Sequence, residues 1–338
     1  TSHGGYNIAE AGTYGTLYVN SASGAYEFIP NDAAINALPA AATEHFTVTV
    51  TDPAGNTAHQ DFAVALTGVN DAPVVVGNTS TASVPTDMLT SLAASYLVAG
   101  HDLVNKLGGA AGFGENSLGP NDDGSTPAIN ITSVFGSEGL NFFGTHFTSL
   151  YVNNNGNITF NSPNGEYTPQ HIDAGAGNPI IAPFWADVDT RGGAATATTG
   201  GHSTGSNLVY YDLDAANHVF TVTWDDVGYY NHHTNLLDAF QLQLVGTGYG
   251  NFDIVFRYES INWTTGDASG GSGGLGGDIA RAGYSAGDGI AGHYYELSGS
   301  GLQNAMLALS STPGDTGVAG VQVFEVNSGI VTGASAAS

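Results

Sequence analysis

Hydrophobic and polar positions alternate with a period of two between residues 12 and 67. In residues 45–51, Phe46, Val48 and Val50 alternate with threonines, which predicts a strand with one buried face and one wet face. The same pattern predicts strands at residues 16–19, 25–29 and 61–67. Turn residues in the segment 52–56 predict a hairpin loop between two of these strands. An antiparallel β-sandwich is therefore expected at the start of the chain.

A second β-rich region is predicted from residue 116 onward, after a bridge of different character. The predicted strands there are residues 149–152, 157–160, 208–212, 219–224, 240–245 and 252–258. In the bridge, residues 74–116, apolar side chains follow helical spacing, which predicts a short helix. These side chains are Met88, Leu89, Leu92, Tyr96, Leu103, Val104 and Leu107. The expected fold is mainly β, with two antiparallel sandwiches joined by a short helical bridge.

The charge of the chain excludes two classes of partner. Only 10% of the residues are charged, and 30 acidic residues stand against four basic ones, for a formal net charge of -26. Such a chain is expected to bind neither nucleic acid nor an anionic membrane surface. Cysteine is absent, which excludes disulfides, thiol catalysis and cysteine-ligated metals. No apolar run approaches the roughly 20 residues of a membrane span.

The acidity also favours a cation partner. With so few basic residues, carboxylates repel one another unless divalent cations bind their oxygen atoms. An acidic, cysteine-free and β-rich chain suits an extracellular environment that contains calcium, and acidity alone fits a halophilic protein equally well. Calcium is therefore the expected cofactor.

Three motifs in the first sandwich resemble the VCBS repeat, a cadherin-like module found in tandem in large secreted bacterial adhesins. They are Gly12-Thr13-Tyr14-Gly15-Thr16-Leu17, Phe46-Thr47-Val48-Thr49-Val50-Thr51-Asp52 and Gly68-Val69-Asn70-Asp71-Ala72-Pro73. The resemblance covers residues 4–73 and implies a cadherin-like domain at residues 1–73 that lacks its first strand or strands. It also implies neighbouring repeats of the same chain as partners.

A second group of motifs resembles the NIDO (nidogen-like) domain. The blocks follow the order of that family: residues 151–160 (YVNNNGNITF), 180–191 (IIAPFWADVDTR), 222–230, 238–241, 261–267 and 280–284. The resemblance implies a larger antiparallel β-sandwich at residues 117–327, followed by a disordered tail at residues 328–338. Families with this domain are extracellular adhesive or matrix proteins, and the domain has no established enzymatic role.

Candidate calcium ligands in the first domain are Asp52, in the hairpin loop, and the pair Asn70 and Asp71. The resemblance implies the pair, because the Asn-Asp motif at the end of a cadherin-like module can meet acidic residues at the junction. Alternatively, these residues form only a turn, in which their side chains bind their own backbone.

Candidate ligands in the second domain are Asp122 and Asp123, in an acidic turn, and Asp187 and Asp189. An Asp-x-Asp spacing in a strand directs both carboxylates to one side, which suits either a metal ion or an arginine. Because Arg191 follows closely, a salt bridge is the alternative at the second pair.

No catalytic constellation is predicted. Two segments match Gly-x-Ser-x-Gly, around Ser203 and Ser272, but neither has a strand before the serine and a helix after it. The three tryptophans lie in strand patterns, which is typical of sandwich core. The bond between Asp52 and Pro53 is acid-labile, but nothing around it resembles self-cleavage machinery.

The sequence as a whole predicts a non-enzymatic segment of a large protein, secreted or on the bacterial cell surface. Its expected role is cell-surface attachment or biofilm cohesion, stabilised by calcium. The expected partner is an extracellular glycan or glycoprotein, or a second copy of the chain. Two alternatives remain open: a carbohydrate-binding module of a secreted depolymerase, and a segment that cleaves itself when calcium binds.

Overall fold

The computed structural model of this chain describes residues 5–31, 34–35, 41–66, 100–175, 177–314 and 317–332. The chain divides into two compact units, Thr1–Ala82 and Ser83–Ser338. Asn70, Asp71 and most of the predicted helix lie outside the described residues.

The smaller unit contains two antiparallel sheets among its described residues. One sheet has the order β1 (Ile8–Ala11), β2 (Gly15–Val19), β3 (Tyr26–Pro30), and the other pairs β4 (Ala42–Thr51) with β5 (Thr57–Leu66). Phe28 and Phe46 pack edge to face between the sheets, with ring centroids 5.9 Å apart. The predicted strands of this region are confirmed, because the alternating apolar residues supply the buried positions Leu17, Phe46 and Leu66.

The larger unit is built on two further sheets. Its strands are β6 (Asn116–Leu118), β7 (Ile129–Asn130), β8 (Leu140–Phe142), β9 (Thr145–Phe147), β10 (Ser149–Asn153), β11 (Asn157–Thr159), β12 (Ile180–Trp185), β13 (Leu208–Asp214), β14 (Val219–Tyr229), β15 (His233–Gly248), β16 (Asn251–Ser260), β17 (Arg281–Ser285), β18 (Tyr294–Glu296), β19 (Val321–Asn327) and β20 (Ile330–Thr332). Among its described residues, the helices are α1 (Thr132–Phe135) and α2 (Gln303–Leu307), and 3-10 turns lie at Thr190–Gly192 and Asp267–Ser269. Within the described residues, one large sheet has the order β18-β17-β12-β11-β10-β7 and the other β20-β19-β16-β15-β14-β13-β6, while β8 and β9 form a separate two-stranded sheet.

The core of the larger unit lies between these two sheets. Phe184 of β12 faces Phe240 of β15, with ring centroids 5.3 Å apart, and Phe240 stacks on Trp224 at 4.9 Å. On the same core, Tyr284 and Phe324 meet edge to face at 5.3 Å. The expectation of a mainly β fold with antiparallel sheets is confirmed, since burial of the aromatic inner faces holds such sandwiches together.

The second part of the predicted bridge helix is wrong. Residues 101–110 form turns and irregular structure, although Leu103, Val104 and Leu107 have helical spacing. The backbone N–H of Leu103 donates to Glu259 Oε2 at 2.8 Å, and that of Val104 donates to Gln241 Oε1 at 3.0 Å. Side chains of the larger sheet accept hydrogen bonds from these N–H groups. The segment is therefore stabilised more by its contacts with the sheet than it would be by forming a short helix.

The predicted disordered tail also needs a correction at its start. Residues 330–332 form β20, which pairs with β19 through the registers Asn327 with Ile330 and Val326 with Val331. A turn at Ser328 and Gly329, both with positive φ, reverses the chain, and the following β-branched residues favour a strand. Residues 333–338 lie outside the described part of the chain.

None of the helices among the described residues has both the length and the apolar character needed to cross a lipid bilayer.

Asp253 is expected to make stability depend on pH. It lies on β16 directly opposite Glu325 of β19, and burial, reinforced by Glu325, raises the pKa of its carboxyl to about 6. A folded-state pKa above the unfolded value costs stability as the pH rises through that pKa, because folding then has to bury an ionised carboxylate. Asp253→Asn should therefore stabilise the larger unit by about 1–2 kcal/mol at pH 8 and have no effect near pH 4.

Thermal unfolding followed by circular dichroism at both pH values measures this difference. The exposed Asp278, changed to Asn, is the matched control and should leave the midpoint unchanged at both. Equal effects of Asp253→Asn at pH 8 and pH 4 would contradict the assignment.

Candidate metal centre

Three carboxylates from two distant segments of the larger unit lie together. Asp122 and Asp123 come from the loop after β6, and Asp187 follows the end of β12. One oxygen atom from each carboxylate lies within 4.8 Å of the others. We call these three residues the acidic cluster. It combines one residue from the predicted pair 187 and 189 with both residues of the predicted acidic turn.

Buried asparagines in the hairpin between β10 and β11 position the cluster. Asn155 Nδ2 donates to Asp123 Oδ1 at 2.9 Å, while Asn155 Oδ1 accepts the backbone N–H of Val188 at 3.1 Å. Asn154 Nδ2 donates to the backbone carbonyls of Asp122 and Val188. Both asparagines are fully buried. Since each of them contacts both segments, the hairpin sets the distance between the acidic loop and the end of β12.

The hairpin fits closely against β12 because of one glycine. Gly156 has φ +76°, and a Cβ atom there would collide with the carbonyl oxygen of Phe184. Both the conformation and the close approach require glycine.

Hydrogen bonds between Thr190 and Asn121 also hold the acidic loop in place. The Thr190 hydroxyl accepts the backbone N–H of Asn121 at 2.8 Å and donates to the Asn121 carbonyl at 2.9 Å. Within the loop, Asn121 Oδ1 accepts the N–H of Gly124 at 2.7 Å. The loop is therefore shaped by its own hydrogen bonds and by those of its neighbours.

Asp189 belongs to an ion pair next to the cluster. Arg191 donates to it from Nε at 2.9 Å and from Nη2 at 2.7 Å, and the backbone N–H groups of Arg191 and His232 each donate at 2.9 Å. Arg191 Nη2 also lies 2.9 Å from Asp122 Oδ2. Burial pushes the pKa of Asp189 upward, but the hydrogen bonds from Arg191 outweigh burial and lower that pKa below its usual value. The salt-bridge alternative thus describes the contacts of Asp189.

In contrast to Asp189, two carboxylates of the acidic cluster have raised pKa values. Burial, with Asp122 and Asp123 adding repulsion, raises the pKa of Asp187 to about 7. Burial and the neighbouring Asp189 and Asp123 raise the pKa of Asp122 to about 6, although Arg191 opposes the rise. Burial and the neighbouring carboxylates therefore both disfavour the ionised forms of Asp187 and Asp122.

The candidate calcium ligands of the smaller unit do not join a comparable cluster among the described residues. Asp52 Oδ1 accepts the backbone N–H groups of Ala54 at 2.9 Å and Asn56 at 2.8 Å, and Oδ2 accepts Asn56 Nδ2 at 2.8 Å. Its carboxylate thus closes its own turn, and among the described residues it joins no group of three potential ligands. The proposed ligands Asn70 and Asp71 lie outside the described residues.

Sequence reasoning missed the supporting role of Asn154 and Asn155. The signal was the polar run Asn153-Asn154-Asn155-Gly156-Asn157 between apolar strand residues. A hairpin turn at the surface does not need so many side-chain amides, because water can hydrogen-bond its neighbours. In a buried turn, the side-chain amides must supply hydrogen bonds to the main-chain groups of the segments on both sides.

The three tryptophans are packed inside the larger unit, and Ser203 lies in a loop that Glu259 holds. Trp224 and Trp263 are fully buried and Trp185 is 7% exposed. The indole N–H of Trp224 donates to the Asn154 carbonyl at 2.9 Å. Ser203 donates its backbone N–H to Glu259 Oε1 at 2.8 Å, and no hydrogen bond from its hydroxyl to a base is found among the described residues.

Comparison with known proteins identifies the class of this sandwich. Residues 148–328, just over half of the chain, match the nidogen-like domain. The mouse (Mus musculus) alpha-tectorin is 39% identical over 181 residues, which cover 49% of this chain and 8% of that protein. The nidogen of Drosophila melanogaster is 31% identical over 233 residues, which cover 63% of this chain and 16% of that protein. No solved structure matches the chain significantly.

The chain belongs to the nidogen-like domain family. Alpha-tectorin and nidogen are non-enzymatic proteins of the extracellular matrix, and the shared domain agrees with an extracellular, non-catalytic matrix segment. The matched region spans a small part of these relatives. Asp187 lies inside the match, whereas Asp122 and Asp123 precede its first residue.

Replacing Asn154 by alanine should destabilise the larger unit. The change leaves the buried carbonyls of Asp122 and Val188 without their donor, which costs about 2–4 kcal/mol. For a unit of this size the midpoint should fall by roughly 5–15 °C. Differential scanning calorimetry measures the shift.

The control is Asn217→Ala, in the exposed turn between β13 and β14, where Asn217 Nδ2 bonds Asp214 Oδ2 at 2.6 Å. Its effect should stay within about 0.5 kcal/mol. If the two variants unfold at the same temperature, Asn154 does not hold the loop to β12.

Proposed function

We propose that this chain is a non-catalytic attachment segment of a large secreted bacterial adhesin or matrix protein, stabilised by calcium. The smaller unit acts as a spacer next to neighbouring repeats of the same protein. The nidogen-like domain presents a surface that binds an extracellular glycan or glycoprotein, or a second copy of the chain. The observation that carries the proposal is the nidogen-like match, which this chain has in common with two extracellular matrix proteins.

The β-sandwich architecture of the nidogen-like domain supports a binding role. Rigid antiparallel sandwiches expose long loops and strand edges, and they need no catalytic cleft for a partner to dock. The bacterial source is supported by the VCBS-like motifs in the first unit, and the calcium by the excess of acidic residues.

The carbohydrate-binding alternative receives less support than attachment in general. Stacking on sugars needs an exposed aromatic shelf, and all three tryptophans of the sequence are buried. The exposed aromatic rings among the described residues are tyrosines: Tyr26, Tyr167, Tyr249 and Tyr294. A glycan therefore remains one partner class of the proposal, alongside glycoproteins and a second copy.

Attachment can be tested with beads that carry the whole 338-residue chain. In calcium-containing buffer they should cluster with one another or adhere to surfaces coated with extracellular glycans or glycoproteins. Beads coated with an unrelated protein of similar net charge are the control, because they separate specific contact from charge effects. Microscopy counts clusters and adherent beads. Coated beads that remain single and adhere to none of these surfaces would refute the attachment role.

The self-cleaving alternative makes a separate prediction. Because Asp52 is engaged in its own turn, the bond to Pro53 should remain intact when the chain is incubated with calcium near neutral pH. Intact mass spectrometry should show one species before and after incubation. A calcium-dependent fragment ending at Asp52 would establish self-cleavage in place of simple attachment.

A further inference from the structure

We propose that the acidic cluster, Asp122, Asp123 and Asp187, binds one calcium ion that joins the loop after β6 to the end of β12. The inference deepens the proposed function, because it assigns the calcium of an extracellular segment to particular ligands.

The spacing of the three carboxylates suits one ion. Oxygen ligands lie about 2.3–2.6 Å from calcium, so two ligands on opposite sides of the ion are about 4.6–5.2 Å apart. One oxygen from each of the three carboxylates lies within 4.8 Å of the other two. A single calcium ion can therefore contact all three without rearrangement of the backbone.

Buried oxygens without partners form the second, independent observation. Asp187 is only 1% exposed, and its Oδ2 has no hydrogen-bond partner among the described residues. Asp122 Oδ1 is likewise buried, and no residue that the structure describes donates to it. An ionised carboxylate buried in this way is costly unless a cation or a donor compensates it. A bound cation supplies that compensation to both carboxylates at once.

Two of the three carboxylates are already oriented by the protein. Arg191 holds Oδ2 of Asp122 at 2.9 Å, which leaves Oδ1 for a ligand. Asn155 holds Oδ1 of Asp123 at 2.9 Å, which leaves Oδ2. Hydrogen bonds of this kind, made to the oxygen that does not face the ion, fix the direction of a ligand and reduce the entropy lost on binding. The site is therefore organised in advance, with one oxygen free on each of these carboxylates.

Asp189 is not a ligand of the proposed ion, because its oxygens are already occupied. Its two oxygens accept four hydrogen bonds, from two side-chain and two backbone N–H groups. These donors use the acceptor capacity of the carboxylate, and Arg191 neutralises its charge. Asp189 thus positions Arg191, which in turn orients Asp122.

The chemistry favours calcium over magnesium. Three carboxylates leave about three to five positions for water or other oxygens, and calcium tolerates such irregular shells, whereas magnesium demands a near-octahedral shell. A site with few protein ligands belongs with those of extracellular modules, whose dissociation constants are about 10⁻⁴–10⁻³ M.

The decisive experiment measures thermal unfolding of the full chain at pH 8, in chelator and in calcium, for two isosteric variants. Asp187→Asn removes one charge from the cluster, and Asp278→Asn removes one from an exposed loop as the control. For the parent chain and the control, calcium at about a hundred times the dissociation constant should raise the midpoint of the larger unit by roughly 5–10 °C. For Asp187→Asn, calcium should give a much smaller rise.

The order of stability in chelator separates binding from a merely structural role. Without the ion, Asp187→Asn should be more stable than the parent chain, because it relieves repulsion among the three carboxylates. With calcium the order should reverse. If Asp187→Asn is less stable than the parent in both buffers and responds equally to calcium, Asp187 is structural and the site is refuted.

Equilibrium dialysis measures the number of calcium ions bound per chain. Asp187→Asn should bind one ion fewer per chain than the parent and the Asp278→Asn control, and equal counts would overturn the assignment. Magnesium at the same concentration and ionic strength should give a smaller thermal shift. Because these readouts do not involve adhesion, loss of the site and loss of the attachment role can be told apart.

Discussion

Backbone amides, in place of basic side chains, satisfy several buried carboxylates of this protein, and the placement of its loops depends on these bonds. Glu259 on β16 accepts the N–H groups of Leu103, His202 and Ser203, each at 2.8 Å. One carboxylate thereby holds two loops that are distant in sequence. In the smaller unit, Glu44 accepts the N–H groups of Thr13 and Tyr14 in the same way. With four basic residues in the sequence, ion pairs alone cannot neutralise its buried acids.

The loop at residues 194–206 shows how far this principle extends. Asp225 accepts the N–H of Thr204 at 2.7 Å, and Asp226 accepts the N–H of Gly205 at 2.9 Å. Neighbouring residues of a regular strand point to opposite faces, but a bulge after Trp224 and the positive φ of Asp226 bring both carboxylates to one loop. Each acid therefore functions as a fixed acceptor, and the outcome is a rigid scaffold rather than a reactive site.

The acidic cluster departs from this pattern. There, buried oxygens of Asp122 and Asp187 have no donor in the described part of the chain, and Asn154 and Asn155 hold their segments together at short range. The hairpin thus performs two tasks: it joins the acidic loop to β12, and it keeps like charges close. The nidogen-like match begins after Asp122 and Asp123, so the cluster also ties a preceding segment to the matched domain.

Much of the fold could be predicted from the sequence, because strand formation depends on local alternation. Phe46 and Val48 on β4, and the long strands β14 to β16, follow the expected period of two, whereas Val50, toward the end of β4, is exposed. The helical spacing of Leu103, Val104 and Leu107 predicted a helix that does not form. The pattern does not reveal that Glu259 and Gln241 lie nearby and accept the N–H groups of Leu103 and Val104. Similarly, the sequence pointed to acidic residues as candidate ligands, but it could not choose between a metal ion and an arginine at Asp187 and Asp189.

The sequence by itself determined the class of the protein: a mainly β, acidic chain with the motifs of a nidogen-like domain. These properties follow from composition, alternation and the order of short motifs, all of which are local. Only the tertiary structure decided which carboxylates meet. Asp122 and Asp187 lie more than 60 residues apart, and the sandwich brings them together through a hairpin that contacts Asp122 itself and Val188, the neighbour of Asp187. Long-range contacts of this kind depend on how sheets pack, and no local pattern encodes them.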